Sequence, residues 1–460
     1  MQPLPPTPCS DARTVFLVNQ ISRHGHLDLY ARLYSACLLE LGYRVVLIAQ
    51  HESGVREWLV AKCGDRIDDF IFLARSELEV APPCVAEVIT EPIPPLLSRL
   101  RRVWRKEGGR GLALRMYLHG RKYYHWSRRP LDVAGAFLRR FLAPSGISFV
   151  SVVEELVVAE RRLGVRPALV FFLYLDMMID DRKGCRYLAR HLAAPWAGIL
   201  FHPRKFRGHH GVRPERYFGR GNARGAAFLD PDCVRRYAKI FPALRFGALP
   251  DVTDASTLPG DSLLVTRLRE LAGDRTVVLL VGSLTPDKGV MQFINVIRRA
   301  DPGRFFFAIV GEVFWESFGR QEQELRRFAE NPPENCLVRP GYIEDEREFN
   351  AVIAASDILY AVYPDVSGSS NTMTKAATFQ RPVIVSDRYL MGERVSRYDI
   401  GAAVKSGDID QIIAALELLR QRNRDEFGFA AYRRDHSIDA LKAELAKLLE
   451  RWLPARQPAG

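Results

Sequence analysis

The sequence contains no apolar run of membrane-spanning length, which is about 20 residues. Its seven cysteines are scattered, with no Cys-x-x-Cys pair, which argues against both a disulfide framework and a zinc site. The first residues, MQPLPPTPCSDAR, lack the basic and apolar regions of a signal peptide. We therefore expect a protein of the reducing cytoplasm.

Acidic residues are scarce in the first half of the chain. Residues 1–250 contain 39 Lys and Arg against 23 Asp and Glu, a net charge of +16, whereas residues 251–460 contain 27 against 31, a net charge of −4. This asymmetry indicates that only the first half meets an anionic partner, although a solvated arginine-rich surface would give the same count. The length of 460 residues suits two domains of roughly 200 residues each.

The chain begins with a strand–helix–strand pattern. Residues 14–18, TVFLV, are continuously apolar, which is typical of a buried parallel strand. Residues 27–41 place apolar side chains at helical spacing, Gly42 favours a helix end, and residues 44–49, RVVLIA, form the next apolar run. We predict one βαβ unit of a doubly wound sheet.

Apolar runs of strand length recur at intervals that leave room for helices. They lie at residues 69–73, 168–175, 198–201, 276–281, 305–310, 335–338, 357–362 and 382–385. The pattern predicts two successive α/β sheets with a hinge near residues 247–253, where Gly and Pro interrupt it. A helix over residues 436–452 has an apolar face, so we expect it to dock on the rest of the protein.

Residues 96–142 do not fit this alternation. They contain 13 Lys and Arg against two acidic residues, interleaved with Trp, Tyr and Phe. Basic residues mixed with aromatics are typical of a segment that lies on an anionic membrane surface. A structural insertion packed on the sheet and a nucleic-acid-binding segment have the same composition. We expect a membrane surface or a lipid-linked molecule as the partner, and no nucleic acid.

Two loops of the second half contain residues suited to bind phosphate. Residues 277–290 run from an apolar strand through Gly282 to Lys288, and residues 368–371, Gly-Ser-Ser-Asn, precede a predicted helix over 372–379. The N-terminus of a helix presents free N–H groups and a positive dipole to an anion. If both loops lie where the strand order of the sheet reverses, they form a site for a diphosphate.

The order of these elements resembles the GT-B glycosyltransferases, and most closely glycosyltransferase family 4. The resemblance covers nearly the whole chain outside residues 76–150 and the termini. It implies two Rossmann-like domains facing a central cleft, at 1–250 for the acceptor and 251–435 for the nucleotide sugar. It also implies that the last segment, 436–460, docks back on the N-terminal domain.

The resemblance assigns several residues of the first domain to the cleft. The turn from Arg23 to His26 matches the one that contacts donor phosphate and acceptor, with Gly25 on the donor side and His24 and His26 on the acceptor side. His202 matches a histidine near the anomeric carbon. From the residues alone, Asp176 follows a predicted strand, and it either orients an acceptor hydroxyl or caps the next helix.

In the second domain, the family holds the diphosphate with Gly-Arg-x(4)-Lys-Gly. The matching residues are Gly282, Ser283 in place of the arginine, and Lys288. Gly311 and Tyr342 match positions that line the nucleoside pocket. The donor-binding candidates are completed by the loop and helix residues Gly368, Ser369, Ser370, Asn371 and Lys375.

The family's two carboxylates are absent. Alignment places Ser367 and Lys375 where relatives have glutamates that contact the sugar and the ribose. A lysine has only donors and cannot accept the ribose hydrogen bonds. Three alternatives follow. Another group, such as Asp365, holds the ribose; or Lys375 binds the phosphates; or the protein does not turn over nucleotide sugar.

We predict a cytoplasmic glycosyltransferase, peripheral at the membrane, that moves a sugar from a nucleoside diphosphate sugar to a lipid-linked or surface-glycan acceptor. The resemblance implies retention of anomeric configuration. His202 and Lys288 are the catalytic candidates, and no metal or cofactor is expected, since no Asp-x-Asp motif precedes a candidate loop. A sugar-nucleotide epimerase and a non-catalytic GT-B scaffold are the alternatives.

Overall fold

The computed structural model describes residues 13–19, 27–52, 54–78, 149–175, 182–201, 218, 221–260, 262–366 and 368–453. Within these ranges the chain forms two parallel sheets flanked by helices. No described helix is both long and apolar enough to cross a bilayer.

The first sheet is built from seven strands of the described residues. They are β1 (Thr14–Val18), β2 (Arg44–Ala49), β3 (Phe70–Ala74), β4 (Leu169–Phe172), β5 (Trp196–Leu200), β6 (Ala223–Phe228) and β7 (Arg245–Ala248). Their order is β3-β2-β1-β4-β5-β6-β7, and every neighbouring pair is parallel. Chain order therefore reverses between β1 and β4, which is the switch point of this sheet.

The second sheet has the same design with six described strands. They are β8 (Thr276–Val281), β9 (Phe305–Gly311), β10 (Cys336–Pro340), β11 (Ile358–Ala361), β12 (Val383–Ser386) and β13 (Gly401–Val404). Their order is β10-β9-β8-β11-β12-β13, again all parallel. The switch point lies between β8 and β11.

Helices connect the strands and cover both faces of the sheets. Those described are α1 (Leu27–Glu40), α2 (Val55–Cys63), α3 (Phe149–Leu163), α4 (Arg182–His191), α5 (Pro231–Ile240), α6 (Leu263–Ala272), α7 (Val290–Arg299), α8 (Glu322–Glu330), α9 (Glu346–Ala354), α10 (Asn371–Thr378), α11 (Tyr389–Tyr398), α12 (Ile409–Gln421), α13 (Phe429–Asp435) and α14 (Ile438–Trp452).

The strands that the sequence predicted are all present, most of them displaced by one or a few residues. Three strands were not predicted: β6, β7 and β13, with sequences ARGAAF, RFGA and GAAV. Gly and Ala are depleted in strands, so these segments give no strand signal. The small residues are needed for close approach, since a Cβ at Gly401 would lie 1.8 Å from the Val383 carbonyl oxygen.

Helix α14 returns from the second domain and docks on the first, as predicted. Leu445, Leu448 and Trp452 are buried in the same apolar cluster as β1 and α1. The indole N–H of Trp452 donates to the Arg245 carbonyl at 2.9 Å. The helix packs closely, because a Cβ at Gly247 would lie 2.5 Å from a methyl group of Leu448.

The segment between β7 and α6 passes from one sheet to the other. Leu249 and Val252 belong to the core of the first domain, whereas the carbonyl oxygens of Asp254 and Ser256 accept hydrogen bonds from Asn350 of α9. The predicted hinge at 247–253 overlaps this segment, although its first residues belong to β7. The domain boundaries assigned from the sequence stay a prediction.

His436 lies at the junction between the domains, and its titration should affect stability. Its ring stacks on Tyr432 with centroids 4.0 Å apart, and its Nδ1 lies 3.2 Å from the Asp251 carbonyl oxygen. Burial lowers the pKa of His436 to about 4; the Arg394 guanidinium adds to this effect and Asp251 opposes it. The imidazole is therefore neutral at pH 7.

We expect the free energy of unfolding to fall as the pH drops from 6.5 to 4. Unfolded His436 has an ordinary pKa of about 6.5, so in this window the unfolded state binds the proton more readily, and stability is lost by at most about 1.4 kcal/mol per pH unit. Urea unfolding at pH 7.5 and pH 5 measures the loss. His436→Gln should reduce this loss of stability. His51 is exposed, so His51→Gln serves as the control and should show the loss of the wild type. An equal loss in all three proteins would contradict the assignment.

Candidate active site

Two loops meet at the switch point of the second sheet. One follows β8 and reaches helix α7 through Gly289, and the other follows β11 and leads into α10. Gly289 has a φ of 72°, and a Cβ there would lie 2.6 Å from the Val362 carbonyl oxygen. Only glycine satisfies both conditions, so this residue holds the two loops against each other. The switch point is where ligands bind in sheets of this kind.

Lys288 belongs to the first loop and reaches the second. Its Nζ is 4.1 Å from the centroid of the Tyr363 ring, within the range of a cation–π contact. Burial by itself would raise the pKa of Tyr363, but the Lys288 charge and hydrogen bonds with Ser370 and Thr372 lower it from its ordinary value. The contact fixes a positive charge beside the loop that leads to α10.

Three glycines follow one another across the ends of β8, β9 and β10. A Cβ at Gly311 would lie 2.0 Å from the Gly282 carbonyl oxygen, and the Gly341 N–H donates to the Gly311 carbonyl at 2.9 Å. The backbone at these strand ends is therefore packed without side chains. Ser283, which stands in the place of the family arginine, follows Gly282 and is half-buried.

Helix α10 begins at the end of the second loop, which we call the donor loop, Gly368–Asn371. Ser370 is the N-cap, but its side chain makes no capping hydrogen bond. The side chains of Ser369 and Asn371 are directed to the interdomain segment, where they donate to Asp251 at 2.5 Å and to the Val252 carbonyl at 3.1 Å. The groups that remain to hold an anion are thus the backbone N–H groups and the helix dipole.

Lys375 is in the middle of α10 and is buried. Its Nζ donates to Glu346 Oε1 at 2.5 Å and to Asn350 Oδ1 at 2.6 Å, both on α9. Burial lowers the pKa of Lys375, and the Glu346 charge opposes this shift. Two of its three donors are thus used within the protein. Its predicted role in donor binding has no further support, and it stays a prediction.

The predicted nucleoside-pocket residues lie along the same edge of the sheet. Tyr342 follows β10 and has 36 % of its surface exposed, and Gly311 ends the neighbouring strand β9. Asp365, the proposed substitute for a missing carboxylate, is exposed, and Tyr389 donates to it at 3.4 Å. These roles also stay predictions.

Several candidates lie outside the described residues: His24, Gly25, His26, Asp176, His202, Ser367 and the insertion at 96–142. In the sequence, the first four follow β1 and β4, the two strands at the switch point of the first sheet. No group of three or more His, Cys, Asp or Glu side chains suited to a metal ion occurs in the parts of the chain that the structure describes.

Sequence reasoning missed three polar residues at the junction of the domains: Asp251, Glu346 and Arg394. Asp251 is 1 % and Arg394 8 % exposed, and charged residues are rarely buried unless they are paired. Arg394, on α11, donates to the Leu229 carbonyl of the first domain at 2.6 Å. Asp251 follows Pro250 in the segment where the pattern breaks, which was its only signal.

The sequence of residues 275–422 matches the protein-family model described as Glycosyl transferases group 1. No curated protein matches the sequence. The matched region runs from β8 to α12 and so includes all six strands of the second sheet. It also contains every described candidate for donor binding.

Many solved structures share the fold. HepE of Anabaena in complex with UDP and glucose aligns with a TM-score of 0.60 at 11 % identity, covering 95 % of this chain and 99 % of HepE. Sucrose-phosphate synthase of Thermosynechococcus elongatus has a TM-score of 0.59 at 13 % identity, covering 96 % and 99 %. WaaG, a glycosyltransferase involved in lipopolysaccharide biosynthesis, has a TM-score of 0.53 at 12 % identity, covering 95 % and 99 %.

These likenesses extend over both domains, and they confirm the α/β fold of two parallel sheets that the sequence predicted. The family match adds the enzyme class, in agreement with the resemblance found in the sequence. The chain has the two-domain GT-B fold of its structural neighbours, and residues 275–422 of its second domain match the glycosyl transferases group 1 family.

Proposed function

We propose that this protein transfers a sugar from a uridine diphosphate sugar to a lipid-linked or surface-glycan acceptor, with retention of anomeric configuration. One observation carries the proposal: the Lys288 ammonium and the N-terminus of α10 belong to the two loops that flank the switch point of the second sheet. A lysine and a helix N-terminus in this position form a site for a diphosphate.

The choice of uridine rests on the structural neighbours. HepE has been solved with UDP and with UDP-glucose. Those neighbours share 11 to 12 % of residues with this chain, so they support a nucleotide and say nothing of the sugar. In our proposal the uridine lies toward Tyr342 and Gly311, and the diphosphate toward Lys288.

The chemistry requires positive charge at the leaving group. When the bond between the anomeric carbon and the diphosphate oxygen breaks, its electron pair stays on the diphosphate. Charge develops there in the transition state, and preorganised donors stabilise it more than they stabilise the bound substrate. Lys288 and the first N–H groups of α10 supply this stabilisation in our proposal, and His202 keeps the role near the anomeric carbon that the family resemblance implies.

The charge distribution supports the proposed acceptor. Residues 1–250 carry a net +16, and residues 96–142 mix basic and aromatic side chains. Both favour an acceptor held at an anionic membrane surface. The neighbour WaaG is involved in lipopolysaccharide biosynthesis, which supports an acceptor of this class. We therefore propose that the enzyme acts as a peripheral protein on the cytoplasmic side of a membrane.

We expect Lys288→Ala to lower kcat for sugar transfer on the order of 100-fold or more, because one donor to the developing charge is lost. The fold should persist, since a cation–π contact contributes only about 1 kcal/mol. Radiolabelled UDP-sugars with a membrane lipid extract measure transfer. Asp287→Ala, the exposed neighbouring residue, is the matched control. Unchanged transfer by the Lys288 variant would overturn the proposed role of this residue.

The choice of nucleotide can be tested independently of the acceptor. A ligand that binds the folded state raises the melting temperature, so UDP should raise the Tm more than GDP does. UDP released only in the presence of acceptor supports a transferase. No binding of either nucleotide in calorimetry would contradict the proposal and favour a non-catalytic scaffold.

Lys375 bears on how this enzyme differs from its family. Its side chain is 2 % exposed, and its ammonium pairs with Glu346, whose side chain is 20 % exposed. Asp254 and Asp251 also lie close enough to raise its pKa. A carboxylate at this position would face three others, so the family residue does not fit this surrounding. We infer that Lys375 joins α9 to α10 and that the ribose is held by other groups.

We expect Lys375→Glu to destabilise the protein by about 3–5 kcal/mol, the cost of breaking a buried ion pair, and Lys375→Glu with Glu346→Lys to recover part of the loss. Urea unfolding measures both. Lys442 and Glu40 form a matched but more exposed pair, with side chains 33 % and 38 % exposed. Lys442→Glu should therefore cost at most about 1 kcal/mol. Equal losses in the two single variants would contradict this account of Lys375.

A further inference from the structure

We propose that Asp251 is a positioning residue, which holds the donor loop in its anion-binding shape only when the two domains are correctly placed. This inference rests on the proposed function, because it concerns the same loop. It adds a connection between the first domain and the donor loop that is made by side chains outside the site itself.

The carboxylate of Asp251 is divided between the two domains. It is 1 % exposed and lies in the segment that joins them. Oδ1 accepts a hydrogen bond of 2.5 Å from the hydroxyl of Tyr30, on α1 of the first domain. Oδ2 accepts one of 2.5 Å from the hydroxyl of Ser369, in the donor loop. A relative movement of the two domains at this point breaks one of these two bonds.

Ser369 continues the connection. Its hydroxyl has a single proton, which it gives to Asp251, and it accepts a hydrogen bond of 2.7 Å from Arg394. The other terminal nitrogen of Arg394 donates to the Leu229 carbonyl, which follows β6 of the first sheet. The chain Tyr30–Asp251–Ser369–Arg394–Leu229 therefore starts and ends in the first domain and passes through the donor loop. We call it the latch.

The latch acts on the backbone that would hold the anion. Asp251 binds Ser369, and the next residue, Val252, accepts a hydrogen bond of 3.1 Å from the Asn371 side chain. Two consecutive residues of the interdomain segment thus fix both neighbours of Ser370, the N-cap of α10. A displacement of this segment shifts the first N–H groups of the helix, which are the donors proposed for the diphosphate.

The first bond of the latch, from Tyr30 to Asp251, is fully buried. Tyr30 and Asp251 are each 1 % exposed, and burial together with the Asp251 charge raises the pKa of Tyr30 well above its ordinary value. A broken bond here leaves a buried polar group without a partner, and water cannot replace the lost bond. The latch is therefore expected to be either fully formed or open, rather than gradually loosened.

The first test uses Tyr30→Phe, which removes one hydroxyl and keeps the ring. Tyr34 gives the matched control, because it is one turn further along α1 with ring centroids 6.0 Å apart. Its hydroxyl is buried and has no hydrogen-bond partner among the described residues. We expect Tyr30→Phe to raise the Kd for UDP about tenfold, the effect of losing one buried hydrogen bond to a charge, and Tyr34→Phe to leave it unchanged.

A residue that only stabilises the fold would behave differently. In that case Tyr30→Phe would lower the Tm, while the folded protein, measured by calorimetry well below that temperature, would bind UDP with the affinity of the wild type. This result would overturn the proposal. Ser369→Ala tests the other end of the same carboxylate, and it should raise the Kd for UDP by a similar factor.

A second measurement needs no nucleotide. Hydrogen exchange of the unliganded protein should be about tenfold faster for the amides of residues 368–374 in Tyr30→Phe, and unchanged there in Tyr34→Phe. If the wild type binds neither UDP nor GDP, the proposed function fails, and exchange alone decides on the latch. Equal exchange at 368–374 in both variants and the wild type would overturn the latch even if UDP binds.

Discussion

Parallel pairing is the constraint on which the rest of this structure depends. In both sheets every described neighbouring pair is parallel, so all the loops that follow strands leave from one edge. At the junction of the domains, Arg394, on the helix after β12, donates to the carbonyl of Leu229, just after β6. The carboxyl edges of the two sheets therefore lie close together at this junction. Glycines where backbones touch, such as Gly289 beside Val362, keep the second-domain loops closely packed.

The same arrangement concentrates buried charge where the domains meet. Asp251, Arg394 and Lys375 are each less than 9 % exposed, and each makes hydrogen bonds to partners on other elements. Burying an ion costs several kcal/mol unless its partners are well placed, and apolar residues of similar size often serve stability equally well. A contribution to stability is therefore a weak explanation for the presence of buried charged residues here. Their position suggests another explanation. Hydrogen bonds form only in a narrow range of geometries, so these residues define how the two sheets face each other.

Much of the fold was predictable, because its strands are apolar runs and its helices have apolar faces. Residues 14–18 and 276–281 were predicted with the bounds that the structure has. Strands β6, β7 and β13 were not, because their Gly and Ala residues are selected by close contact between elements distant in sequence. The loops with Lys288 and Gly368–Asn371 were identified from their residue types and their position after strands. The roles of Asp251 and Glu346 depend on partners 221 and 29 residues away, which no local pattern encodes.

The surroundings of Lys375 and Asp251 differ from the family pattern at the proposed donor site. Relatives are expected to have a carboxylate on the helix that Lys375 occupies. Here Glu346 and Asn350 of α9 surround a lysine instead, and Asn350 in turn holds the carbonyls of Asp254 and Ser256. The helix of the donor loop is thus tied to the interdomain segment on one side through Lys375 and at its start through Ser369. If these contacts couple donor binding to the placement of the domains, thermodynamic reciprocity requires domain closure to change donor affinity by the same factor by which the donor shifts closure.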